Sequence, residues 1–157
     1  MTYEDLLMLS DDQNLIVREK DIPGFGGRIY QNRIAINKNL PTQKEKACVL
    51  AEELGHYHTT AGCILDQSDA SNRKQEYRAR LWGYNHQIGL LGLIDAAKAG
   101  CHNAYEISEY LDVTEDYLLE ALQAYRNKYG TGTMVDNYWI TFTPTLQVYE
   151  MWVVDKN

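Results

Sequence analysis

An apolar run of small residues, Lys46-Ala47-Cys48-Val49-Leu50-Ala51, ends in two adjacent carboxylates, Glu52 and Glu53, and His56 follows one helical turn after the first. A helix that buries such a run carries the next charges into or against the core, which costs free energy unless something positive meets them. At about 100° per residue, positions 52 and 56 differ by about 40° and lie one turn apart on the same face, so their side chains converge on one point. Glu53 stands about 100° further round, beside that point rather than on it. A metal ion held by Glu52 and His56 would neutralise the pair, with Glu53 positioned as a general base toward a water at the ion. Arg78 or Arg80 would meet the same charges as an ordinary ion pair.

The spacing is that of H-E-x-x-H with Glu52 in the place of the first histidine. Catalytic zinc usually takes three protein ligands and leaves one position open, so a third ligand is expected from another element. Glu76, 20 residues after His56 on the next predicted helix, is the candidate, and its oxygen suits zinc or a harder divalent ion. Asp66 and Asp69 in the intervening polar stretch are rivals. His58 is a weaker one, because two residues turn it about 200° from His56 unless the helix ends between them.

Around this helix the pattern is α+β. A short helix over residues 1–14 precedes two extended pieces, Leu15–Arg18 and Arg28–Asn37, the second broken by a Gln31-Asn32 turn signal. The central helix starts after Pro41, with Thr42 or Asn39 as cap, and its face is Cys48, Leu50, Ala51, Leu54 and Gly55. Arg73–His86 reads as the next helix. Ala104–Leu111 and Thr114–Tyr129 form a helix-turn-helix outline, and the aromatic, β-branched tail from Tyr138 to Val154 reads as a terminal hairpin around Pro144-Thr145. At 157 residues the chain is expected to be a single domain, with a core over 1–90, a helical subregion over 91–130 and the hairpin over 131–157.

Charge and cysteine count narrow the function classes. The chain holds 15 basic against 22 acidic residues, a formal charge of -7, the wrong sign for a protein that grips phosphates. Within 81–130, Lys98, Arg126 and Lys128 face seven carboxylates, and a recognition helix beginning Thr114-Glu115-Asp116 would aim two of them at the DNA backbone. The helical pair is therefore expected to pack or to dock a protein, with no direct nucleic-acid partner. Three cysteines without C-x-x-C spacing, an acidic N-terminus and no long apolar run point to the cytoplasm and to no membrane.

Taken together, the stretch CVLAEELGHYHTTAG from Cys48 to Gly62, the following ILDQSDASNRKQEYRARLWGYN, the preceding short hairpin, the helical pair and the aromatic tail resemble the ImmA/IrrE family of metallopeptidases, especially its phage and mobile-element members. The resemblance implies a zincin-like fold, with Glu52, His56 and Glu76 as ligands of Zn2+ or another divalent metal and Glu53 as the catalytic base. It further implies an intracellular endopeptidase that cleaves or inactivates a helix-turn-helix repressor. His58, His86, Tyr57 or Tyr84 would stabilise the oxyanion, and the Ile34-Ala35-Ile36 strand would offer an edge to substrate unless it is an ordinary paired strand. Glu52 adds negative charge, which lowers the Lewis acidity of the ion and raises the pKa of its water. The alternative is thus a catalytically weak member that works as a repressor-binding module.

Overall fold

The computed structural model describes residues 1–60 and 69–151, with Thr60, Asp69 and Ala70 described in backbone only. The fold is α+β, and two compact units divide it: Met1–Gln87 with Asp112–Thr114, and Ile88–Leu111 with Glu115–Asn157.

The first unit holds α1 (Tyr3–Asp12), β1 (Ile16–Lys20), β2 (Gly27–Tyr30), β3 (Arg33–Asn37), α2 (Gln43–Thr60) and α3 (Asp69–Gln87). Helix α1 opens on a capping box: Thr2 Oγ1 accepts from the Asp5 N–H at 3.1 Å, and the Asp5 carboxylate accepts from the Thr2 N–H at 2.7 Å. Thr42 caps α2, its hydroxyl accepting from the Glu45 N–H at 3.1 Å. Leu50, Ala51 and Leu54 are fully buried, and Cys48 nearly so, which is the face read from the sequence. Leu50, Ala51 and Leu54 join Tyr3, Leu6, Leu15, Ile34 and Ile36 in one core, with Val17, Ile29, Tyr57 and Trp82 against it. Tight turning at Gln31, whose φ is 55°, lets β2 and β3 form the expected hairpin.

The strand order is β1-β3-β2, with β3 parallel to β1 and antiparallel to β2. Ile34-Ala35-Ile36 therefore lies on the central strand and has no free edge. Its backbone is paired on both sides, as in an ordinary strand, and the edge near α2 belongs to β2.

The second unit holds α4 (Gly89–Lys98), α5 (Ala104–Leu111), α6 (Glu115–Tyr129), β4 (Gly132–Val135), β5 (Tyr138–Thr141) and β6 (Gln147–Glu150). Strands β5 and β6 make the expected terminal hairpin, and β4 adds to it as a third antiparallel strand. Leu118, Ala121, Tyr125, Ile140 and Phe142 are buried here, and Arg126 donates twice to the Phe142 carbonyl, at 2.9 and 3.1 Å, tying α6 to the end of β5. Among the described residues no helix is long and apolar enough to cross a membrane.

Candidate metal centre

Helices α2 and α3 are brought together by the absence of a side chain. A Cβ on Gly55 would collide with the backbone carbonyl of Ala79, so only glycine lets the two helices approach so closely. His56 follows that glycine directly, and Glu76 precedes Ala79 by three residues, nearly one turn. The crossing thus sets Glu76 opposite His56.

Ligand atoms of Glu52, His56 and Glu76 lie within 4.8 Å of one another. Two ligands bound at about 2.1 Å in a tetrahedral arrangement stand about 3.4 Å apart, and His56 Nε2 lies 3.4 Å from Glu76 Oε2. One nitrogen and two carboxylate oxygens are a donor set that a divalent ion of the zinc type accepts, so the residues present fit such an ion. The His56 side chain is 18% exposed and that of Glu76 51%, which leaves the cluster reachable from solvent.

The alternative counter-charge is also in place. Arg80, one turn after Glu76 on α3, brings its Nε to 3.5 Å from Glu52 Oε1. Both side chains are substantially exposed, so an ion pair of this length contributes little to stability.

Of the remaining sequence candidates, His58 and His86 have their hydrogen-bond and ring partners elsewhere. Helix α2 runs past His58 to Thr60, so His58 keeps its roughly 200° separation from His56. Its Nε2 lies 2.7 Å from Gln13 Oε1, and its ring stacks on Trp82, as does that of His86, at centroid distances of 4.7 and 3.7 Å. Burial and the neighbouring His86 hold the His58 pKa below its ordinary value. Tyr84 is buried and Tyr57 half-buried. Asp66 lies outside the described residues, as does the side chain of Asp69.

The family model described as the IrrE N-terminal-like domain (Peptidase_M78) matches residues 11–123, well over half of the chain. The chain belongs to this family. Neither a curated protein nor a solved structure matches it. The matched span contains the whole of β1 to α5, and with them every residue of the cluster, while β4 to β6 lie beyond it. The α+β architecture, with a small sheet packed on the helix that carries the cluster, is that of a zincin-like M78 domain.

Among the described carboxylates of this M78 domain, Glu53 stands apart because it is buried, at 8% exposure. Burial pushes its pKa up from the ordinary 4.5 to about 7, the charges of Glu52 and Glu76 push the same way, and Arg28 pulls against them. Strand β2 closes over it: a Cβ on Gly27 would stand 3.2 Å from Glu53 Oε1 and 2.7 Å from Val49 Cγ1. Gly55 reads from the sequence as part of the small packing face of α2, though not as the point where α3 crosses, and Gly27 reads only as part of a loop. Periodicity marks the face that Gly55 shares but not its partner, and the close approach of Gly27 to Glu53 has no periodicity to reveal it.

Proposed function

We propose that the chain is a metal-dependent endopeptidase that holds one divalent ion, zinc in the first instance, through Glu52, His56 and Glu76, and uses Glu53 as its proton-transfer group. The observation that carries this reading is the convergence of those three side chains within 4.8 Å of one another beside a buried carboxyl. A divalent ion bound there supplies Lewis acidity toward a carbonyl oxygen and a water. Without an ion, burial and the charges of Glu52 and Glu76 raise the Glu53 carboxyl to about 7, and a divalent ion held by Glu52, His56 and Glu76 would favour its carboxylate form, which a proton acceptor requires. Residues Gly27 and Val49 shield Glu53 from bulk water on the sheet side. The outer edge of β2, next to Glu53 and unpaired among the described residues, is the backbone to which an extended substrate would pair.

The substrate we infer is a helix-turn-helix repressor encoded with the protein on a phage or mobile element, met in the cytoplasm. Membership of the M78 family and the acidic helical pair support a protein rather than a nucleic acid as partner. Incubating such a repressor with the zinc-loaded protein is expected to give discrete fragments, and Glu53→Gln is expected to slow their appearance by a factor of about 10²–10⁴. Equal cleavage by both proteins would remove Glu53 from the chemistry.

One observation favours a second reading, a repressor-binding module without turnover: Arg80 already meets Glu52. Under that reading the repressor binds equally well with and without zinc, and Glu52→Ala, His56→Ala and Glu76→Ala leave binding unchanged.

A further inference from the structure

The sheet of the first unit turns Ile29, Ile34 and Ile36 inward to the core. Strand alternation and register therefore set the opposite face: Ile16, Arg18 and Lys20 on β1, Arg33 and Ala35 on β3, Arg28 and Tyr30 on β2. All four basic residues of the three strands stand on this outer face. Their one acid, Glu19, alternates to the other side, where it meets Lys46 at 2.8 Å and the Tyr3 hydroxyl at 3.3 Å. A chain of formal charge -7 thus gathers four positive charges on one sheet face.

None of the four forms an ion pair among the described residues. Arg28 lies over the Phe25 ring at 4.4 Å, and Arg18 donates to the neighbouring Val17 carbonyl at 3.1 Å. Asp21, just beyond β1, has its carboxylate engaged by the Asn39 amide at 3.1 Å. With Tyr30 and Ile16, the four cations line an open groove of about 610 Å³. At its centre the register sets Ala35 between Arg18 and Arg28. Strands two apart are separated by about 10 Å, so a small floor residue between two guanidinium forks leaves room for a carboxylate.

We propose that this face docks an acidic, extended segment of the polypeptide substrate. The proposal rests on the peptidase reading for its partner and on charge complementarity for its occupant. Every second side chain of an extended segment recurs at about 6.6–6.8 Å, which is the spacing from Arg18 to Lys20 and from Arg28 to Tyr30. Carboxylates at alternate positions would all face the sheet and meet its cations, while the uncharged residues between them would point to solvent. A long polyanion would also approach the net negative remainder of the chain, whereas a short segment with a few carboxylates touches only the positive face.

The test is fluorescence anisotropy with the full chain and labelled ten-residue peptides of alternating Glu and Thr, Gln and Thr, or Lys and Thr. A labelled ten-nucleotide oligothymidylate is titrated alongside, and sedimentation reports self-association. The wild type is expected to bind the Glu peptide at least tenfold more tightly than the Gln peptide, and Arg18→Gln/Arg28→Gln to abolish that preference. Arg18→Glu/Arg28→Glu is expected to move it to the Lys peptide. Both arginines are exposed, and thermal melts verify that the variants fold. Equal binding of Glu and Gln peptides by the wild type, or a preference unchanged in the variants, overturns the proposal. So does tighter binding of oligothymidylate through the same arginines, or a dimer that these substitutions dissolve. Binding is read without cleavage, so its failure would leave the peptidase reading standing, and an inactive protein would still test it.

Discussion

A carboxyl that burial lifts to about 7 leaves a mark on the stability of the metal-free protein. The folded state of Glu53 binds its proton more tightly than the unfolded chain does, so its favourable contribution is complete below pH 4.5 and is lost as pH rises through 7. Above that, the buried charge costs on the order of 3 kcal/mol. In chelator-treated protein, Glu53→Gln is therefore expected to be less stable than wild type, or equal to it, at pH 5 and clearly more stable at pH 8. Parallel melting curves at both values would contradict this. The expense was legible in the sequence, because two carboxylates end the run Lys46–Ala51 and only one of them can share the His56 face. Glu52 and His56 follow from spacing alone. Glu76 does not, because its approach depends on where two helices cross, and the sequence left it among rivals.

That crossing is a property of elements. Helices α2 and α3 meet where Gly55 faces the Ala79 carbonyl, and Gly55→Ala is expected to destabilise the fold by about 3 kcal/mol, since the obstacle is backbone and cannot rotate away. The same change is expected to weaken zinc binding measured by competition with a chelating dye, by moving Glu76 off His56. Stability and zinc affinity both unchanged would show that the crossing does not position the ligands. Helix positions were the most readable elements: α1, α2, α3, α5 and α6 all correspond to segments whose apolar spacing and caps announce them. Strand partners were not. Nothing in Leu15–Arg18 specifies that β1 pairs in parallel with β3, because the alternation of a strand sets which face is buried and leaves open which neighbour lies beside it. The turn after Val135 was likewise missed, so β4 went unread before the terminal hairpin.

For the whole molecule, net charge is an average that hides its distribution. A value of -7 covers an outer sheet face with four cations, a half-exposed cluster of candidate metal ligands rich in carboxylates, and the acidic pair α5 and α6. The proposed protein partner, and the acidic charge of α5 and α6, predict that a salt titration shows no strong, salt-dependent affinity for duplex DNA. A steep slope with tight binding at low salt would contradict that. The proposed peptidase chemistry depends on the cluster of Glu52, His56 and Glu76. The most direct measurement is anomalous diffraction at the zinc edge from crystals grown with zinc. One peak is expected, within about 2.0–2.2 Å of donor atoms of all three residues. A map with no peak there, and Glu52 paired to Arg80 alone, would contradict the metal centre.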